Sequence, residues 1–368
     1  MKISLCMIAG NEAAVILRCL DSAKNAFDEL CLVKAIGAQH EDKTLILAFD
    51  WCELHGKEFK AAVYLNQIPE LPHVDDFGAA RNKSFSLATG DWQLWLDCDD
   101  ILTPESCRSL RTATVADPEV DAYLTPYTKP GGSTCPRERL IRRGSGVWKN
   151  RIHETCVIAS GRTCLDNEAV VYHAPVVGHA KDSHPRNKRL LEIGLADADR
   201  HLFYLHEELY RLATQGGQPE DRAEAVRTGK AALELLKDKP EECYEICLNM
   251  TELEPAQAQA WMFRALALQP WRREALAYLT QDALAAGKLD HAVSWFRQMD
   301  GLPRPEPLPW THRDLWHGWG RNYLRVRILR ARGQVDEAAI EHAKFLEGAA
   351  YLTGVSQLET AGVTAIGL

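Results

Sequence analysis

Up to about residue 125, short apolar runs alternate with stretches of helical period, and this alternation narrows the possible folds more than any other feature of the chain. Ile3–Ile8 reads as a strand, followed by an amphipathic helix over Glu12–Ala23 with Val15, Ile16, Leu17 and Leu20. Leu30–Ile36, Ala61–Leu65 and Trp92–Leu96 read as further strands, with Thr44–Leu54 and Phe77–Ala88 as the helices between them. Strands and helices in strict alternation imply a parallel sheet with helices on both faces. In such sheets ligands bind beyond the carboxyl ends of the strands, so the loops after strands are where chemistry is to be sought.

The pattern then changes twice. Pro126, Pro130, Gly131, Gly132 and Pro136 mark loops, and β-like stretches at Arg139–Arg142, Cys156–Ile158 and Val170–Tyr172 predict an antiparallel extension of the sheet. From about His184 the chain turns helical. Gly287-Lys-Leu-Asp-His-Ala292 and Gly333-Gln-Val-Asp-Glu-Ala338 share a spacing, with Gly217 to Ala225 a looser version. Pro270 and Pro303 bracket one helix–turn–helix unit, close to the tetratricopeptide period of about 34 residues. Each unit leaves an apolar face that only a neighbour can cover, so the units stack. The proline-rich segment Leu302 to Pro309 breaks the array as a stiff connector. Trp261, Trp271 and Trp295 read as helix core. Trp310, Trp316, Trp319, His312 and His317 form an aromatic cluster that either packs between helices or lines an acceptor groove. Two domains are expected, residues 1–183 of α/β class and 184–368 all-α, as a length of 368 residues requires.

Composition excludes several classes. The net charge of −8 argues against a general nucleic-acid binder, although Arg137 to Lys149 is a local basic patch. No apolar run is long enough to span a membrane, and the N-terminus lacks a signal-peptide pattern. Eleven cysteines at irregular spacings, with no CxxC pair, predict reduced thiols in a cytoplasmic protein; Cys243 and Cys247 read as buried packing.

The sharpest chemical signal is Leu94-Trp-Leu-Asp97-Cys98-Asp99-Asp100. A hydrophobic strand delivers adjacent carboxylates to the sheet's carboxyl edge, where they repel one another unless a cation neutralises them. Hard oxygen ligands suit Mg²⁺ or Mn²⁺. The competing role is a helix N-cap run, since Thr103-Pro-Glu follows. In Asp75-Asp76-Phe77-Gly-Ala-Ala-Arg81-Asn82, Arg81 either offers a planar fork of donors to phosphate or sits in a surface salt bridge. A third group comprises Arg139, Arg142 and Arg143, then Trp148, His153 and Glu154, then Tyr172-His173. His173 is either a metal ligand through an imidazole nitrogen or a structural histidine. Glu154 either takes a proton from an acceptor, or orients His153 or pairs with Arg151. Trp148 either stacks on a sugar face or packs. His179 and His184 read as solvated.

Ile3-Ser-Leu-Cys-Met-Ile-Ala-Gly-Asn11-Glu12, Asp76-Phe-Gly-Ala-Ala-Arg81-Asn82 and Gly90-Asp-Trp-Gln-Leu-Trp-Leu-Asp97-Cys-Asp99-Asp100 together resemble family 2 glycosyltransferases of GT-A fold. The similarity is to the branch of the sublancin peptide S-glycosyltransferase, whose members often carry tetratricopeptide-like helices after the catalytic domain. The resemblance continues through Trp148, His153, Glu154 and His173. It implies a metal-dependent, inverting hexosyl transfer from a nucleoside diphosphate sugar to a peptide, protein, glycan or other acceptor. It also implies site roles. Ile8, Ala9, Glu12, Arg81, Asp97 and Cys98 would line the nucleotide-sugar pocket. Asp99 and His173 would hold Mg²⁺ or Mn²⁺, Glu154 would act as base, and Trp148 and His153 would meet the acceptor. The helical domain would bind acceptor or drive homodimerisation.

One departure stands out. After the second strand the family usually has an Asp that reads the base; this chain has Lys34, followed by Asp42 and Thr44 that match the end of the family's turn. Lys34 is therefore expected to approach a phosphate or an extra acidic group of the donor. It also favours the rival reading, a non-catalytic helical-repeat binding protein built on a degenerate sugar-nucleotide domain.

Overall fold

The computed structural model describes residues 1–38, 40–129, 134–175, 183–194, 198–216, 218–305 and 314–353. The chain forms two compact units, divided between Tyr204 and Leu205. The first unit therefore runs past residue 183.

The first unit opens with β1 (Ile3–Ala9), α1 (Ile16–Ala23), β2 (Glu29–Lys34), α2 (Thr44–His55), β3 (Glu58–Val63), α3 (Phe77–Leu87) and β4 (Trp92–Trp95). It continues with β5 (Asp100–Leu102), α4 (Pro104–Ala116), β6 (Ala122–Thr128), β7 (Thr134–Arg142), β8 (Gly146–Lys149), β9 (Thr155–Ile158), β10 (Thr163–Leu165), β11 (Val171–His173), α5 (Ser183–Ile193) and the start of α6 (Ala198–Thr214). The main sheet has the order β3-β2-β1-β4-β7-β6-β11-β5, with β10 beside β6; β8 and β9 form a separate hairpin. β1, β2, β3 and β4 are parallel, whereas β7 runs antiparallel to both β4 and β6. The sheet is thus mostly parallel with an antiparallel extension at β7, as expected, but the Cys156–Ile158 stretch expected in it lies in the separate hairpin and β11 runs parallel to β6. β1 and β2 are buried along their whole length, which is why they read as continuous apolar runs rather than alternating ones. Ile3, Leu5 and Met7 pack on one side with Ile16, Leu20, Trp51 and Leu110; Cys6, Trp95 and Ile141 pack on the other with Phe85 and Trp148.

Several boundaries differ from the expected ones, β7 for instance starting at Thr134 rather than Arg139, and two of the differences have a clear cause. α1 begins at Ile16 rather than Glu12, because Glu12 to Val15 close a turn in which the Glu12 carbonyl accepts from Val15 and Ile16. β3 begins at Glu58 rather than Ala61; as an edge strand it carries Glu58 and Lys60, charges that blunt an open edge.

In the second unit α7 (Pro219–Leu235), α8 (Pro240–Leu253), α9 (Ala258–Leu268), α10 (Glu274–Ala285), α11 (Leu289–Gly301), α12 (Trp319–Ala331) and α13 (Val335–Thr353) follow the end of α6. Gly287 and Gly333 stand between the paired helices α10–α11 and α12–α13 in left-handed conformation, φ 70° and 74°, where a side chain would be strained. Ala292 and Ala338, the residues spaced from those glycines, are buried. Cys243, Cys247 and Trp261 are core, and Trp295 is partly buried. Trp271 is a correction: it lies between α9 and α10 and is 39% exposed. Trp316 and Trp319 pack within the unit, Trp316 in a buried cluster and Trp319 against Phe345. Pro130, Gly131, Gly132, His179, Gly217, Trp310, His312 and the Pro307-to-Pro309 end of the connector lie outside the described residues.

Candidate active site

The acid cluster sits where β4 ends. Asp97 and Asp100 close a tight turn, the Asp97 N–H donating to Asp100 Oδ2 at 2.9 Å and the Asp100 N–H to the Asp97 carbonyl at 3.0 Å. β5 intervenes before α4, whose N-cap is Thr103, accepting from Ser106 N–H at 3.1 Å. The acids therefore do not cap that helix. β11 runs antiparallel to β5 with His173 opposite Asp100. This register brings His173 Nδ1 to 3.5 Å from Asp99 Oδ1 and 3.6 Å from Asp100 Oδ1. One ligand atom each from Asp99, Asp100 and His173 lies within 4.8 Å of the others. Burial opposes charge on His173, but the Asp100 and Asp99 carboxylates beside it outweigh burial and lift the imidazole to about 9.

The flanking acids are each tied to an arginine. Arg139 is fully buried and donates through Nη1 to Asp100 Oδ2 at 2.9 Å. Arg81, also buried, donates through Nη2 to Asp97 Oδ1 and through Nε to Glu154 Oε1, both at 2.7 Å. Its position is set by α3, which Asp76 caps by accepting from Ala79 N–H at 2.8 Å. At Gly78 the helix start runs so close to the Asn150 carbonyl that a Cβ would lie 2.6 Å from it. That approach, the Phe77 N–H bond to the Arg151 carbonyl (2.8 Å) and the Arg151 bond to the Asp75 carbonyl (2.8 Å) hold the loop that carries Glu154. The same loop contains two non-glycine residues at positive φ, Asn150 at 73° and His153 at 51°; backbone strain of this kind gathers at functional sites. Burial would raise the Glu154 pKa, but Arg81 holds it below its ordinary value. Glu154 thus pairs with neither His153 nor Arg151.

Several expected residues sit elsewhere than the sequence implied. The Lys34 side chain is only 1% exposed and turns inward, its ammonium donating to the Gly10 carbonyl (2.8 Å), Asn11 Oδ1 (3.3 Å) and Asp42 Oδ1 (3.1 Å). It has no donor to spare for a phosphate, because a compact ammonium carries three N–H bonds. Burial would raise the Asp42 carboxyl, yet donors from Thr44, Ala13 and Lys34 bring it down to about 2. Cys98 is buried with its thiol towards the Ile8 carbonyl, so its side chain does not line a pocket. Ile8 and Ala9 are likewise buried at the end of β1. Glu12 follows in the turn, where its N–H meets Thr44 Oγ1 at 2.7 Å. Trp148 is core, edge-on to Trp95 and Phe85 with centroids 4.9 and 5.9 Å away, and offers no face to a sugar. The His153 ring stacks on Tyr204 at 4.0 Å and its carbonyl accepts from Arg200. Arg139 is singled out in the third group but given no role, since nothing in the sequence points it at Asp100, 39 residues away.

The family model described as glycosyl transferase family 2 matches residues 4–157, which include Asp97, Asp99, Arg81 and Glu154. That match covers most of the first unit and less than half of the chain. Among curated relatives, a TPR repeat-containing protein of Synechococcus elongatus is 30% identical over 272 residues, 70% of this chain and 62% of its own length. The SPbeta prophage-derived glycosyltransferase SunS of Bacillus subtilis is 26% identical over 153 residues, 40% of this chain and 33% of its own. The chain thus spans less than two thirds of either relative. A crystal structure of S. aureus TarS in complex with UDP-GlcNAc is 13% identical, covering 82% of this chain and 90% of the other, and superposes loosely at a TM-score of 0.41. Among the described residues, no helix is long and apolar enough to cross a membrane.

Proposed function

We propose that the N-terminal unit transfers a hexose from a nucleoside diphosphate sugar to an acceptor, with inversion at the anomeric carbon and with Mg²⁺ or Mn²⁺ as cofactor. The observation that carries this reading is the convergence of Asp99, Asp100 and His173 at the carboxyl end of β4 in a family 2 domain. The donor set fits such an ion: two carboxylate oxygens and an imidazole nitrogen suit Mn²⁺ and Mg²⁺, and the buried Asp100 Oδ1 and His173 Nδ1 make no hydrogen bond. Bound there, the ion supplies countercharge for the departing diphosphate.

The chain's own residues do the rest. The end of β1 and the turn through Glu12 form the nucleotide side, with Asp97 held towards the donor by Arg81. Glu154 is the base. Arg81 keeps it ionised at neutral pH, the state a proton acceptor needs, and its side chain is 12% exposed. As the acceptor's oxygen, sulfur or nitrogen bonds to the anomeric carbon, its proton passes to Glu154 and the bond to the diphosphate breaks. His153, next to Glu154, is the remaining acceptor contact. The helical unit holds a peptide, protein or glycan acceptor or pairs two copies. Lys34 gives no support to a decayed scaffold, since every acceptor around it is matched.

The test is hydrolysis of nucleoside diphosphate sugars with Mn²⁺ or Mg²⁺ and no acceptor, for the parent and Asp99→Asn, with folding followed by circular dichroism. Loss of the Asp99 charge is expected to cost on the order of 3 kcal/mol, roughly a hundredfold in rate. Full activity of Asp99→Asn in the presence of a chelator would remove the metal from the mechanism.

A further inference from the structure

The basic run from Arg137 to Arg143 separates into three fates. Arg139 is consumed by Asp100, and Arg142 donates to the Val120 and Pro118 carbonyls and stacks over Trp92. Arg137 is half-buried, and its side chain makes no hydrogen bond or ion pair among the described residues. Its position follows from an irregularity in the sheet. Between β6 and β7 the register slips by one residue, Tyr123 facing Leu140 while Leu124 faces Glu138, so that Arg139 is the extra residue of a bulge. Bulges bend a strand and re-aim its side chains, often beside active sites. Here the guanidinium carbons of Arg139 and Arg137 lie 3.7 and 5.4 Å from the Trp95 ring centroid, with that of Arg81 at 4.5 Å. The Trp95 indole N–H, donating to the Glu138 carbonyl, fixes the bulged strand against the ring.

Three cations therefore surround one indole next to Asp97. The carboxylates present are already engaged: Asp97 and Glu154 by Arg81, Asp100 by Arg139. Arg137 rests on the Trp95 face and acts on Asp97 only through space, with no carboxylate bonded to it among the described residues. In addition, Arg81 Nη1 and Arg139 Nε and Nη2 are buried donors with no acceptor, whereas buried donors are normally met. A group that satisfies several guanidinium N–H bonds and one unpaired cation must be anionic and offer only acceptors, as phosphate and carboxylate oxygens do.

We propose that Arg137, together with the unmet N–H groups of Arg139 and Arg81, forms an oxyanion subsite beside Asp97 that receives a phosphate or carboxylate group of a substrate. Who carries the oxyanion rests on the glycosyl-transfer reading above: either the donor's diphosphate, or a charged group on the acceptor or transferred sugar.

The experiment titrates the full chain, Arg137→Gln and Arg137→Lys calorimetrically at low ionic strength. The probes are uridine and guanosine, their mono- and diphosphates with Mn²⁺, inorganic phosphate and acetate; melting temperature confirms that each variant is folded. If the donor's diphosphate is the source, Arg137→Gln weakens UDP or GDP about tenfold or more and leaves the nucleosides unchanged. If the acceptor or sugar is the source, diphosphate affinity holds, while phosphate or acetate binding to the nucleotide-saturated protein is lost in Arg137→Gln and kept in Arg137→Lys. Loss of phosphate binding in Arg137→Gln, in a protein that binds no nucleoside diphosphate, would support the subsite and defeat the proposed reaction. Folded Arg137→Gln that matches the parent for every probe overturns the subsite.

Discussion

Lys34 offers a test in which charge, burial and register all enter. Its ammonium joins the loop after β1, through Gly10 and Asn11, to the loop after β2, through Asp42. Replacing it with Met removes one partner of a buried pair, a loss worth about 3–5 kcal/mol where the other charge is left stranded. Asp42 is not stranded: it keeps Thr44 N–H at 2.9 Å, Ala13 N–H at 3.0 Å and 28% exposure of its side chain. The Gly10 carbonyl, however, loses its only ammonium. We therefore expect Lys34→Met to cost about 2–3 kcal/mol, a fall of about 5–10 °C in the melting of a unit this size. Lys34→Asp, which restores the residue common in the family, is expected to cost more, because the new carboxylate would face three acceptors and no donor. Calorimetric melting of the full chain reads both, beside titration with uridine, guanosine and cytidine diphosphates. Since the ammonium is saturated, Lys34→Met should weaken all three nucleotides by a similar factor through looser loops. Lys34→Asp melting within about a degree of the parent, or a reordered base preference at unchanged melting temperature, would refute the clamp and return Lys34 to the donor.

Two further outcomes are expected. Asp100→Asn should destabilise more than Asp99→Asn, by about 3 kcal/mol, because it strands the fully buried Arg139 whereas Asp99 has no arginine of its own; urea unfolding of the two variants compares them. His206 in the helical unit is held neutral, burial pushing it down to about 4 while its ring bonds to the Ala225 carbonyl at 2.9 Å. A histidine lowered in the folded state takes its proton first in the unfolded chain, so stability is intact above about pH 6.5, declines from there to pH 4, and falls by at most about 3 kcal/mol; hydrogen exchange of α6 to α8 at pH 7 and 5 should show it, and a His206 resonance titrating near 6.5 would contradict it.

The parallel half of the sheet was legible because burial on both faces writes itself as apolar runs, as in Leu5–Ala9 and Leu30–Val33. What escaped had little such signal. β5 and β10 are three residues long, and β7 carries Arg137, Glu138 and Arg139, residues that look solvated until a bulge turns them onto Trp95. Trp271 has the spacing of a core residue but stands in a turn, where helical period no longer decides which side is inward. Lys34 shows the limit of reasoning by position. A departure from a family's usual residue marks where something differs, yet the partners that define the difference, Gly10, Asn11 and Asp42, come from two loops that only the fold brings together.

The acid cluster makes the same point about chemistry. Four carboxylates, Asp97, Asp99, Asp100 and Glu154, meet in one place, and read as a string three of them look interchangeable. Their partners separate them. Arg81 lies 16 residues before Asp97 and 73 before Glu154, and Arg139 lies 39 residues after Asp100, distances over which no local pattern operates. Once those arginines are in place, Asp97, Asp100 and Glu154 are each compensated by a permanent cation. Among the described residues Asp99 is left facing His173 alone, whose charge depends on a proton that a divalent ion can displace. Arginine pairing thus does more than offset repulsion: it commits Asp100 Oδ2 to Arg139 while Oδ1 stays uncommitted, and it leaves Asp99 as the carboxylate without an arginine among the described residues. That division of labour, rather than the acidity of the run itself, is what the proposed cation site at the end of β4 rests on.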